Sequence, residues 1–229
     1  MGAQRRAENG GASTVTPHVT EGHIGRRFLD ISGLPTHTLG HQDAMWWGMW
    51  LLLSIEGTMF ALLTTAYFYL RGNQSEWPPP GATNPPLAIT VTTVVLLLLA
   101  AAAMFFAFRA AADARLPVIR LAFAATTLLG TLALAARAGE LATIGYRWNS
   151  HAYGSLVWGF YFLHSVHLLA AVTLSALFTA LFYLGPVEFK RLRDVRLVAF
   201  FWWFGAAGWL LVWAIVTFDD LLLRNSLVS

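Results

Sequence analysis

Residues 46–71 read WWGMWLLLSIEGTMFALLTTAYFYLR, an apolar run of membrane-spanning length with a carboxylic acid, Glu56, in its middle. At about 1.5 Å per helical residue Glu56 lies roughly 15 Å beyond Trp46, near the midplane of a hydrocarbon layer about 30 Å thick. An acid at that depth costs on the order of 2.5–3.5 kcal/mol on insertion scales, so it calls for a partner. Where that partner comes from depends on the rest of the chain.

The composition is that of a membrane protein: 57% of residues are hydrophobic and 12% charged, about half the charge content of an ordinary soluble domain. Five apolar segments are each near or above the roughly 20 residues that a spanning helix needs: about 46–70, 87–108, 118–138, 153–184 and 197–218. The expected fold is therefore all-α, a polytopic five-helix transmembrane bundle. Ahead of it lies a polar arm, residues 1–45, rich in Gly, Ser, Thr and His and read as loosely ordered at its start. Behind it lies a short tail, 219–229. The first connection, GNQSEWPPPGATNPP, is dense in Pro and Gly and must stop one helix, and Asn84 before Pro85 suits the start of the next.

Charge placement predicts orientation. With the N-terminus cytoplasmic, Arg5, Arg6, Arg26, Arg27, Arg109, Arg115, Arg120, Lys190, Arg191, Arg193 and Arg196 fall inside, and Arg71, Arg137, Arg147 and Arg224 outside. The positive-inside rule thus places the N-terminus in the cytoplasm and the C-terminus in the periplasm. The same pattern makes the net charge of +3 a topology signal and argues against a nucleic-acid partner. Trp46, Trp47, Trp77, Trp148, Trp202 and Trp203 fall near span ends as interfacial anchors, whereas Trp50, Trp158, Trp209 and Trp213 are expected between helices.

Few polar side chains accompany Glu56 inside the spans. His164 and His167, in YFLHSVHLLAA, are three apart and project from one face of the fourth helix, at a depth that matches Glu56 on the antiparallel first helix. A Glu56–His167 or Glu56–His164 hydrogen bond would relieve the buried carboxyl. Such a group has either a proton-linked or lipid-binding role or serves as packing polarity. Arg137 and Glu140, also three apart, read as an intrahelical pair at the outer boundary. The run GAAG, Gly205 to Gly208, offers a small-residue surface for close helix approach.

Cysteine is absent, which excludes disulfides and thiolate metal sites on this chain. His164 and His167 cannot flank one haem from a single helix, and His37 and His41 of the arm lack a third ligand. No catalytic centre, metal or haem is expected here.

In five ordered blocks over about residues 41–218 the chain resembles subunit III of the haem–copper oxidases, the cytochrome c and quinol oxidase family. HQDAMWWGMWLLLSIEGTMF is similar to the family's Glu-bearing helix, with Glu56 as that Glu, and WPPPG followed by NPP is similar to its next loop. Glu140 falls where the family has a Glu, YGS at 153–155 matches a family YGS, and FLHSVHLL at 162–169 is similar to the family's FHGLHVI. The last helix departs, with Trp203 and Ala206 where the family carries a His and an Asp. The full-length family form also has two helices ahead of the Glu-bearing one, so the resemblance implies a five-helix form.

The resemblance implies a non-catalytic subunit of a proton-translocating terminal oxidase in the bacterial inner membrane. Haem and copper would lie on partner subunits I and II, small subunits would be further partners, and a phospholipid would be bound. Glu56, His164 and His167 would line an intramembrane polar site that supports proton uptake. The alternatives are an accessory subunit of a nitric oxide reductase, which the departures at Trp203 and Ala206 favour, and a stand-alone proton-coupled transporter.

Overall fold

A computed structural model describes residues 19–21, 27–29, 44–185 and 189–226. Residues 1–43 form a unit of their own, whose described part is an antiparallel pair, β1 (Val19–Glu21) and β2 (Arg27–Leu29), with Val19 opposite Leu29. His37 and His41 lie outside the described residues.

The second unit is helical: α1 (Ala44–Asn73), α2 (Leu87–Ala112), α3 (Leu116–Thr143), α4 (Ala152–Leu184) and α5 (Phe189–Ser226). All five are long and apolar enough to cross a membrane. Each expected segment lies inside an observed helix, and the largest difference is in α5. That helix starts eight residues before the expected span and continues eight beyond it, so most of the expected tail is helical. Hydropathy marks only the apolar stretch, whereas Lys, Arg, Leu and Asp at its ends tolerate helix well enough to extend it beyond that stretch.

The connections explain which helices are neighbours. Three residues, 113–115, join α2 to α3, with Ala114 in the left-handed region at φ 52°, and so short a link forces an antiparallel pair. At the start of α2 the expectation for Asn84 fails. Two prolines follow it and disfavour helix for the residues before them, so the cap position passes to Pro86. Asn84 instead accepts from the Tyr146 hydroxyl and donates to that of Tyr153, both at 2.7 Å, tying the α1–α2 loop to the α3–α4 loop and the first turn of α4.

Four helices close a ring in which α2 packs on α3 and α5, and α4 on α3 and α5. Helix α1 stands outside it, against α4 and α5. Only 17% of its central apolar stretch is buried, against 33–44% in the other four. Within the ring, Gly130 lets α3 approach closely, since a Cβ there would come within 2.6 Å of Trp202 and 2.8 Å of Val172. Trp202 is 2% exposed and donates to the Ser175 hydroxyl at 2.6 Å, so it is a core residue and not the expected anchor. The early start of α5 puts Trp202 fourteenth in its helix, away from the helix end. Trp50 also departs, at 45% exposed, because α1 buries so little of its surface.

Candidate functional site: two polar clusters on one helix

Glu56 is the thirteenth of thirty residues in α1 and His167 the sixteenth of thirty-three in α4. Both stand near mid-helix, and they meet. His167 Nδ1 lies 2.7 Å and 2.9 Å from the two Glu56 carboxyl oxygens. The other ring nitrogen, Nε2, lies 3.0 Å from the Phe201 carbonyl oxygen of α5. Phe201 also stacks on the imidazole at 4.0 Å.

Gly205 makes this contact feasible. A Cβ at that position would fall on Nε2 and on the adjoining carbon of His167, so the ring reaches the α5 backbone only because the side chain is missing. The small-residue run is therefore part of the site as well as of the packing. Gly208, one turn on, faces Phe60 of α1.

The hydrogen bonds fix the proton count. A carbonyl oxygen only accepts, so Nε2 carries a hydrogen and donates to Phe201. Nδ1 and the carboxyl group then share one further proton, held either as Glu–OH donating to Nδ1 or as N–H donating to a carboxylate. Near-equal distances to both oxygens suit an N–H forked between them. In either form the pair carries no net charge, which satisfies a carboxyl group whose side chain is 15% exposed beside a histidine at 2%.

His164, one turn earlier on α4, turns the other way. Its Nδ1 lies 3.2 Å from an Arg137 guanidinium nitrogen, and because arginine only donates, Nδ1 accepts. Arg137 also pairs with Glu140 at 2.5 Å and lies over the Trp209 ring at 3.5 Å and the Tyr161 ring at 4.8 Å. Trp209 in turn stacks on His164 at 4.7 Å. Arg137, Glu140 and His164 are each at most 1% exposed.

Arg137 and Glu140 thus form the expected intrahelical pair, and it is buried within the bundle, walled by α4 and α5. Aromatic residues deep in two other spans were the available sign, since a guanidinium is attracted to π-faces as well as to a counter-ion. The two clusters adjoin through the histidine rings, which stack 6.4 Å apart.

A third cluster went unseen in the sequence. Asp219, assigned to the tail, is 8% exposed. One of its oxygens accepts from the Tyr67 hydroxyl at 2.8 Å and the other pairs with Arg71 at 2.7 Å, fastening α5 to α1. Among the described residues no three His, Cys, Asp or Glu side chains converge as a metal ion would require. No family model matches the chain, and no curated protein matches it.

Proposed function

We propose that this chain is a non-catalytic subunit III of a bacterial, proton-translocating terminal oxidase that reduces dioxygen to water. It resides in the inner membrane with its N-terminus cytoplasmic and its C-terminus periplasmic. The observation that carries the reading is the Glu56–His167 contact, because it joins the two motifs most similar to the family's across different helices at mid-depth. A pair that shares one proton can move it between carboxyl and imidazole with no change in net charge, a property that suits a group supporting proton uptake in a neighbouring subunit.

The exposure of α1 fits the same reading. An outlying helix that buries so little against its own bundle has most of its surface left for lipid and for a larger partner. Haem and copper belong to subunits I and II in this account, and a phospholipid would lie along the open side of α1.

A second reading is an accessory subunit of a nitric oxide reductase. It is favoured by Trp203, which donates to the Ala101 carbonyl at 3.2 Å, and by buried Ala206, where the oxidase family has a His and an Asp.

Purification of the tagged chain in mild detergent, with mass spectrometry of the polytopic subunit that accompanies it, tests these readings. An oxygen-reducing haem–copper chain is the expected partner. A nitric oxide reductase chain would select the second reading. No haem-bearing partner, together with proton flux through the chain alone in vesicles, would replace both with a transporter.

A further inference from the structure

The end of the bundle that carries the α1–α2 and α3–α4 loops holds a string of oxidisable rings. A cavity of about 730 Å³ opens there, with Tyr146, Trp148, His151 and Trp158 in its lining. From Tyr146 the ring centroids run 5.7 Å to Tyr153, 5.1 Å to Trp77 and 5.2 Å to Tyr67. All four residues are at most 9% exposed, and the spacings are those of aromatic rings in contact.

The phenols differ in what receives their protons. Tyr146 donates to the amide oxygen of Asn84, which is not a base, and burial raises its pKa well above the ordinary phenol value. Tyr153 accepts from the same amide group. Tyr67, at the buried end of the string, donates to the carboxylate of Asp219 at 2.8 Å.

We propose that these rings form a path along which a one-electron oxidant at the cavity draws its electron from Tyr67, leaving a neutral tyrosyl radical beside a protonated Asp219. The oxidant class is an oxygen-centred radical, such as the peroxyl radicals of oxidised lipid. Tyr67 gives up one electron, relayed through Trp77, Tyr153 and Tyr146, and the oxidant is reduced by one electron. The phenolic O–H bond breaks, its proton forms an O–H bond with Asp219, and no other bond changes.

Charge explains why the path ends there. A radical cation on Trp77 would place an unpaired charge among buried rings. Proton loss from Tyr67 to Asp219 instead leaves the positive charge on Arg71, whose side chain is 37% exposed. The path needs no partner chain and stands apart from the proposed function.

The test uses the purified full chain with ring-deuterated tyrosine. It is flash-oxidised by photogenerated tris(bipyridine)ruthenium(III) with persulfate and read by electron paramagnetic resonance after freezing. A tyrosyl signal is expected that Y67F abolishes and that D219N lowers by about tenfold or more, as loss of a positioned base should. Y69F, at an exposed phenol, should leave it unchanged. Because Y67F and D219N also loosen the α1–α5 contact, the unaltered chain supplies a second readout: heavy water should slow the appearance of its radical. An undiminished signal in Y67F or D219N, or a rate indifferent to heavy water, would overturn the proposal.

Discussion

His164 and His167 sit one turn apart on the same helix and do opposite things. His164 accepts from a fixed cation in a fully buried cluster, so its ring is held as one neutral tautomer. His167 faces a carboxyl group on an outlying helix and shares a proton with it. The difference lies in what each meets: arginine has no acceptor to offer, whereas a carboxyl group can be either donor or acceptor. Helix α4 thus carries a rigid electrostatic centre and an exchangeable proton side by side.

The largest expected effect is on the rigid side. Arg137→Met leaves Glu140 buried without its cation and should destabilise the chain by about 3–5 kcal/mol, read by denaturant unfolding in detergent. Arg137→Met with Glu140→Gln should recover most of that loss, since removing both charges of a buried pair is often close to neutral. A single variant as stable as the parent would mean that the cluster is hydrated.

Gly205→Ala attacks the other side by pushing a methyl group into the His167 ring. Overpacking of that kind costs about 1–3 kcal/mol, and it should also remove the Glu56–His167 contact. The effect of Glu56→Gln should then be smaller in the Gly205→Ala background than in the parent, in a double-mutant cycle.

Infrared difference spectra sharpen the comparison without asking about stability. In the parent, a forked N–H donor predicts that Glu56 absorbs as a carboxylate. His167→Phe takes that donor away, so the carboxylate bands, identified by their loss in Glu56→Gln, should shift. A carboxylic C=O band of Glu56 in the parent would instead make the pair Glu–OH donating to imidazole.

The smallest expected effect lies away from both clusters. Thr127 and Thr179 join α3 to α4 by a 3.1 Å hydrogen bond, and Thr179→Val should cost about 0.6 kcal/mol, the average for such bonds in membranes. A much larger loss would shift attention from the charged cluster to α3–α4 packing in general.

Much of this was legible beforehand for a simple reason. Each span must satisfy its own backbone and present apolar side chains to lipid, so length and hydropathy reveal the five helices directly. Glu56 was conspicuous because a carboxyl group in hydrocarbon needs a partner, and the spans offered few. The burial of Arg137 and Asp219 was not legible because both stand near the ends of apolar runs. Distance along the chain there does not say whether a side chain turns outward or into the bundle.

The sequence by itself determined the number and order of the helices and the shortlist of intramembrane polar groups, because these depend on local composition and the thickness of the hydrocarbon. Only the tertiary structure decided how they pair: that α1 lies outside a ring of four, that His167 takes Glu56 while His164 takes Arg137, and that Asp219 fastens α1 to α5. Those choices turn on the rotation of each helix about its axis and on close approaches at Gly130 and Gly205, which depend on surfaces contributed by several helices at once.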